Sequence, residues 1–493
     1  MKPALVVHRI VGTLTTVSPL HVGSGGIAAS PPGLGREGDD PADTATDCDV
    51  AAIVRDHAGL PCIPGTTLKG VLRQWAEGWL AEQPAGLQET ARDRIDRLFG
   101  AEGTTPSGGH AGRAEFCTAT FGSLGRLAYE AHVPWWNGAG KSGIASHVGI
   151  DRDTGAARPQ ILFFEEFVPE EVSFTVTIDI LRSTDDDVAL LLGILEHGSV
   201  DPVSPLQFGA GGSNGWGRMR WSGAKVMRRF PASAFEPVQI APTIVSRTRS
   251  SDLLEADLSL ECVGPFLVND ASRTTDGPTS TPVHFAPLRR ADGSAWLPAA
   301  SFRGCLRGHY ERLLGTIAQL GVVQVDGKPV DLNDPRALEE SVERVFGSTR
   351  MKSALTIEEL RETSAPYRAP TIERVSVAID RFTGGAAEGM LMTGKAVDRP
   401  RFQTRITIDG GRITPLDRLV LGRTFADVDR GAVSFGAHGS RGYGEMTGRL
   451  TPAFGAPWLT VPDLEPLEIH CPNESCPPSP PKPPIAPMTK SSR

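Results

Sequence analysis

Two sets of charged residues in this chain have the types and spacing to engage phosphate. Lys69 with Arg73, and Arg303 with Arg307, stand four apart. On a helix that spacing puts both cations on one face, and each pair follows a turn whose unused N–H groups also favour an anion. Such a face suits a phosphodiester backbone, and it suits bulk water equally well. The other set is acidic. Asp39, Asp40, Asp43, Asp47, Asp49 and Asp56 crowd one loop, and a single well-placed carboxylate can hold Mg²⁺ together with substrate phosphates. Most acids in such a loop serve only as solvated charge, so residue type does not choose among them.

Glycine supplies a third candidate. Gly209, Gly211, Gly212, Gly215 and Gly217, with Arg218 adjacent, form one cluster, and Gly436, Gly439, Gly442 and Gly444, around Arg441, form another. Glycine lets a backbone approach a phosphate and turn its N–H groups outward, although a cluster of this kind also makes a tight turn. A Walker loop is excluded because the Gly-Lys-Ser/Thr ending is missing. Metal and triad chemistry find less support. Cys471 and Cys476 after His470 lack a fourth zinc ligand, His110 with Cys117 is no better, and His21, His57 and scattered serines define no triad spacing.

What must position these residues is a repeat. Thr66–Arg73 (TTLKGVLR) recurs as Ala300–Arg307 (ASFRGCLR), each after an Ile-Pro or Leu-Pro pair. Arg97-Leu98-Phe99-Gly100 recurs as Arg344-Val345-Phe346-Gly347. Ile150-Asp151-Arg152-Asp153-Thr154-Gly155 recurs as Ile379-Asp380-Arg381-Phe382-Thr383-Gly384, and the glycine cluster recurs last. Four blocks in one order, roughly 227 to 247 residues apart, indicate two copies of one domain with loops of differing length. The expected organisation is a first domain over 1–225, a polar linker over 226–250, a second domain over 251–455 and a Pro-rich tail over 456–493.

Within a copy, Val7, Ile10, Leu14 and Val17 alternate as a strand does, so the N-terminus reads as a strand and not a signal peptide. Thr66 to Glu82 reads as a helix capped by Thr66, with Leu68, Val71, Leu72, Trp75, Trp79 and Leu80 as its apolar stripe. Hairpin arms are expected around Phe163, Phe164 and Phe167, then Val172, Phe174, Val176 and Ile178. Helices interleaved with antiparallel strands predict an α+β fold with the helices on one face of the sheet.

Composition bounds the rest. At 493 residues the chain is long enough for two or three domains. Its net charge of −8 does not flag a nucleic-acid binder, so any polyanion must be held locally. Seven cysteines without regular spacing form no disulfide framework, and the longest apolar run, Val188 to Leu195, falls far short of the roughly 20 residues of a membrane span. A cytoplasmic protein with no membrane partner is the expectation.

The blocks together resemble the RAMP superfamily. The resemblance rests on Pro19–Gly25 (PLHVGSG), Asp49–Asp56 (DVAAIVRD), Gly59–Gly70 (GLPCIPGTTLKG), Arg97–Gly100, Ile150–Gly155 and the glycine-rich end. It covers nearly all of 1–225, with a weaker echo over about 260–450, and is closest to the repeated backbone subunit of type III CRISPR effector complexes. The chain therefore looks like a tandem fusion of two such subunits, with type III-D favoured. The resemblance implies an RRM or ferredoxin-like core lining a CRISPR RNA, and a β-hairpin thumb that displaces one guide–target base pair at regular intervals. Asp151–Pro169 and Asp380–Pro400 match the thumb.

Residue by residue, the resemblance implies RNA contacts at His21, Thr66, Lys69, Arg73, Arg152, Gly211, Gly212 and Arg218, and at Ser301, Arg303, Arg307, Arg381, Gly439 and Arg441. It implies metal-dependent cleavage of target RNA by an acid before the Val-Arg-Asp stretch. Asp49 is the expected catalytic residue and ligand of Mg²⁺ or Mn²⁺, with Asp47 in reserve. In the second copy, matching Arg290 to Arg55 sets His284 opposite Asp49, with Asp270 and Asp276 as the nearest carboxylates of a second site. The implied partners are CRISPR RNA, complementary target RNA and other type III effector subunits. A non-catalytic guide-binding subunit, or a CRISPR RNA-processing endoribonuclease with His21 as base, are the alternatives.

Overall fold

The computed structural model describes residues 6–29, 49–101, 109–125, 129–151, 157–201, 204–245, 252–274, 283–363, 368–453, 458–459 and 464–466. In the first domain the central strand Val7–Thr16 lies between Val172–Leu181 and Met219–Arg229, antiparallel to both, and Val172–Leu181 also pairs Ala114–Phe116 and Thr120–Leu124. The period of two in Val7–Thr16 turns Ile10 and Leu14 inward, where they meet Phe174, Val176, Ile178 and Ile180. Helices α1 (Gly65–Ala81), α2 (Ala85–Phe99) and, after the single turn α3 (Tyr129–His132), α4 (Asp185–Val200) supply the other half of that core through Leu68, Leu72, Trp75, Ile95, Leu98, Leu191 and Ile194.

The second domain repeats this plan. Leu253–Cys262 is flanked by Arg401–Asp409 and Met446–Pro452, and Arg401–Asp409 pairs Leu355–Ile357 and Arg361–Glu362. Helices α5 (Ala299–Ala318), α6 (Pro335–Phe346) and α7 (Pro415–Asp429) take the places of α1, α2 and α4. Even a detail of capping recurs: Thr184 with Asp187, and Thr414 with Asp417, form reciprocal capping boxes. In both copies the order is strand, helices, strands, helix, strand, with the last strand beside the first. The α+β expectation and the two copies are therefore present in the fold.

Several local expectations change. Helix α1 starts at Gly65 after Pro64, whose ring presets φ, and no side chain caps it, so Thr66 is not its cap. The hairpin is formed by Gly143–Ile150 with Ala157–Phe167, not by Ala157–Phe167 with Val172–Leu181, which belongs to the central sheet. Its counterpart is Thr371–Ile379 with Ala386–Asp398. Each hairpin thus begins before the motif matched to it, and in the second copy the Ile-Asp-Arg block is the tip. At the second tip Asp380 Oδ1 accepts from the N–H groups of Phe382 and Thr383, and Gly384 turns the chain at φ 70°.

Of the stretch expected as a linker, residues 226–245 are packed structure. The last strand of the first domain continues to Arg229, Glu236–Pro237 adds an edge to it, and Thr243 N–H donates to Ala189 O on α4 while Val245 is fully buried. In the expected tail, Leu464–Pro466 pairs with Val322–Val325 of a hairpin inserted between α5 and α6. Among the described residues no helix is long and apolar enough to cross a membrane.

Candidate nucleic-acid interface

The four helix cations separate into two kinds. Arg73 pairs with Glu77 at 2.7 Å and Arg307 with Glu311 at 3.0 Å, each one turn along its own helix. Pairs of this class contribute a few tenths of a kcal/mol, so a phosphate can replace the carboxylate at little cost. Lys69 is half-buried on the same face as Arg73, beside Thr66. Its counterpart Arg303 is committed elsewhere. Only 9 % exposed, Arg303 donates to Ser213 O (3.2 Å), Leu355 O (2.9 Å) and Phe346 O (2.6 Å). Burial pulls its guanidinium down to about 10, with Arg307 adding to the effect. Because Ser213 belongs to the first domain, Arg303 is a clamp between domains where an RNA contact was expected. Ser301 sits half-buried in the first turn of α5.

The two glycine-rich loops are built alike. Gly211 (φ 77°) and Gly215 (φ 75°) bracket a turn over Gly212–Asn214, and His438 (φ 62°) and Gly442 (φ 78°) bracket Gly439–Arg441. Ala210 N–H donates to His21 O and Gly217 N–H to Pro19 O, as Ala437 N–H does to Leu267 O and Gly444 N–H to Pro265 O. A Cβ on Gly217 would lie 2.0 Å from Phe208 O, and one on Gly444 1.9 Å from Phe435 O. Close packing therefore accounts for part of the glycine requirement, apart from any phosphate. Gly211 and Gly212 are half-buried, whereas Gly439 and Arg441 are exposed. Arg218 pairs with Glu358 of the second domain at 2.5 Å.

Asp49 is exposed and immediately precedes the strand Val50–Ile53. That strand runs parallel to the hairpin arm, Val50 opposite Phe164, so Asp49 emerges beside Phe163, partway along the arm from its base towards its tip. One buried carboxylate fixes the junction: Glu166 accepts from Ile53 N–H (3.1 Å) and Ser142 Oγ (2.7 Å) and pairs with Arg55. A lone exposed carboxylate fits a divalent ion whose remaining ligands come from substrate phosphates and water. Among the described residues no group of three or more His, Cys, Asp or Glu could hold a metal ion by itself. Asp47, Arg152 and Asp276 lie outside the described residues.

In the second copy the backbone shifts the expected register by one. Arg55 bridges Pro61 and donates to Gly59 O; Arg289, not Arg290, bridges Ala295 and donates to Gly293 O. Arg289 is therefore the partner of Arg55, which sets Val283 opposite Asp49 and His284 opposite Val50. His284 accepts at Nδ1 from Thr393 N–H (3.0 Å) within the sheet. Asp270 is buried, caps the turn Ala271–Arg273 and pairs with Arg273 at 2.9 Å, and burial raises its carboxyl. Neither His284 nor Asp270 occupies the position of Asp49. His21 is 6 % exposed, its Nδ1 donating to Glu166 O at 2.6 Å, which ties it to the hairpin base away from solvent. Arg381 stands on the exposed tip of the second hairpin beside Phe382, which is 100 % exposed.

Sequence reasoning missed the joint between the domains. Glu359, Arg290, Trp216 and Trp296 are buried there, beside the half-buried Glu170. Arg290 pairs with Glu170 across the joint and with Glu359 at 2.9 Å, and donates to Leu360 O. Glu359 also accepts from Trp216 Nε1 (3.1 Å) and Trp296 Nε1 (2.9 Å). These residues differ in type at the matching positions of the two copies, so a search for repeated residues does not single them out.

Comparison with known families agrees with the two-copy architecture. The model of the RAMP superfamily matches residues 13–220 and, separately, 260–447. A search of curated proteins returned no match.

Proposed function

Because the chain belongs to the RAMP superfamily, whose members are associated with CRISPR–Cas complexes, bind CRISPR RNA and act in multi-subunit assemblies, we propose that it is a double backbone subunit of a type III RNA-guided effector. Each domain, a ferredoxin-like core in this reading, presents one hairpin to a guide–target duplex. The observation that carries the proposal is the pair of hairpins on two domains that share one buried joint. Their arms expose Val148, Ile150, Leu162 and Phe163 in the first copy, and Val375, Ile379, Phe382 and Leu391 in the second. Apolar side chains of this kind wedge between bases and break their stacking.

Guide binding is assigned to Lys69, Arg73 and Arg307 with Thr66, Ser301, Gly439 and Arg441, and Arg381 at the hairpin tip. Arg303, Arg218 and His21 act within the protein. Cleavage of target RNA is assigned to the first domain alone, where Asp49 stands beside the hairpin arm and Val283 takes the equivalent place in the second. A divalent ion held by Asp49 would polarise the scissile phosphate. The protein's own contribution is to hold the RNA strand at the Glu166-braced junction so that a 2′-OH lies near the scissile phosphorus, a requirement that spares DNA. The processing-endoribonuclease reading is disfavoured by His21, whose ring is buried and tethered.

The test is to assemble the complex with guide RNA, add labelled complementary RNA and Mg²⁺, and compare wild type with Asp49→Ala and Val283→Ala. Loss of one set of cuts in Asp49→Ala, with unchanged guide affinity and no effect of Val283→Ala, is expected. Unchanged cleavage in Asp49→Ala would remove the catalytic assignment and leave guide binding in place.

A further inference from the structure

The joint inside the chain is a worked example of how one such domain stacks on the next, and it can be compared with the chain's own outer ends. Matching backbone hydrogen bonds identifies the counterparts. On the face that the second domain turns to the first, Arg290, Glu358, Glu359 and Arg361 do the binding. Asp56 corresponds to Arg290, since each accepts from the glycine three residues on, Gly59 or Gly293. Cys117 corresponds to Glu358, since their N–H groups donate to the paired positions Thr177 O and Arg405 O. Thr118 therefore stands for Glu359 and Thr120 for Arg361.

On the face that the first domain turns to the second, Trp216, Arg218, Glu170 and Val17 O are the receiving groups. Tyr443 corresponds to Trp216 and Glu445 to Arg218, from the matching loop bonds and bridges. Val263 corresponds to Val17, because their N–H groups donate to Glu445 O and Arg218 O. The positive-φ residues Glu171 and Arg399 set Asp398 opposite Glu170. Among the described residues this second face is uncovered at the end of the chain: Gly215 is buried, with a Cβ there meeting Glu359 N at 2.5 Å, whereas Gly442 has open space and Val263 is 55 % exposed.

If a second copy stacked in the same way, the ion pair Glu170–Arg290 would be replaced by Asp398 against Asp56. Arg218–Glu358 would become Glu445 against Cys117, and the buried Trp216–Glu359 bond would become Tyr443 against Thr118. One strong attraction turns into a like-charge contact and a second disappears. We propose that the outer face of the second domain, centred on Tyr443, Asp398, Glu445 and Val263, docks a different polypeptide of the same fold, one presenting a basic side chain to Asp398. Asp56 at the opposite end excludes a second copy. The ends of the chain are thereby made non-complementary, which limits it to one place in an assembly.

The test uses the full chain without RNA, so it stands apart from guide binding and cleavage. Sedimentation is followed across a wide concentration range for wild type, Asp56→Arg and Asp56→Arg/Asp398→Arg, with circular dichroism confirming that each is folded. Wild type is expected to remain monomeric. Asp56→Arg supplies the missing cation and is expected to self-associate head to tail at least about tenfold more tightly, the scale of one close interfacial charge pair. The double variant restores repulsion and returns to monomer. A folded Asp56→Arg that stays monomeric, association unaffected by Asp398→Arg, or head-to-tail oligomers of wild type would each overturn the proposal.

Discussion

The indole Nε1 of Trp216, in the first domain, donates to Glu359 Oε1, in the second, at 3.1 Å, with both side chains out of reach of solvent. The same carboxylate receives Arg290 and Trp296, so the two domains share one buried ionic centre. Removing one member of such a centre leaves an uncompensated charge, whereas the intact set mainly specifies a single way of docking.

Glu359→Ala strands Arg290 beside Glu170 alone and is expected to cost about 3–5 kcal/mol. Trp216→Phe keeps the ring and deletes the donor, with an expected loss of about 1–3 kcal/mol. Denaturant unfolding of the full chain measures both. A Trp216→Phe curve superimposable on wild type would show that the joint does not contribute to stability.

Lys69→Ala and Arg303→Ala separate two roles that one sequence position suggests. Lys69→Ala should leave the melting temperature unchanged, weaken guide RNA binding and reduce the slope of log affinity against log salt by about 1. Arg303→Ala removes the donor to three buried carbonyls and should act first on stability, by roughly 3 kcal/mol. Filter binding over a salt series and thermal melts report the two effects independently.

Acid sensitivity is expected from His8. Its Nε2 accepts from Arg228 Nε at 2.9 Å, so Nδ1 carries the proton and donates to Ser183 Oγ at 2.7 Å. With Asp185 alongside, the three residue types of a triad are present, but this tautomer leaves Ser183 unactivated. Burial, and then Arg228, lower His8 from its ordinary 6.5. Below that pH the unfolded chain takes up a proton that the folded chain refuses, so stability falls as pH drops through 6.5 and below. Thermal melts between neutral and mildly acidic pH should show this slope, and His8→Asn should flatten it.

Gly444→Ala tests what the glycine-rich loop needs. The added Cβ meets Phe435 O at 1.9 Å on a backbone with φ 69°. A loss of roughly 2 kcal/mol or more is expected in the absence of RNA. Full stability of the folded variant, with only RNA binding reduced, would assign that glycine to phosphate instead.

Much of the architecture was legible without coordinates because it repeats. Alternation in Val7–Thr16, the apolar stripe of Leu68, Leu72 and Trp75, and the glycine clusters follow local rules of period and φ that hold wherever the segment is placed. Two copies of the same order then implied two like domains. Where a pairing depends on which strand lies next in space, local pattern fell short. Ala157–Phe167 alternates equally well against either neighbour, and only its register with Gly143–Ile150 made it a separate hairpin.

The candidate site divides in the same way. Types and spacing determined that Lys69 and Arg73 could face phosphate, since that property belongs to a helix face, whereas the acid near Val50 was singled out only by the resemblance. Tertiary structure decided the rest. Arg303 and Lys69 hold equivalent places on equivalent helices, yet one guanidinium is buried against two carbonyls of its own domain and one of the neighbouring domain, while the other cation is half-buried. A one-residue register put Val283, not His284, opposite Asp49. Burial and partner choice depend on what packs against a side chain from distant sequence, and that information is written in the joint around Glu359, where the two copies differ.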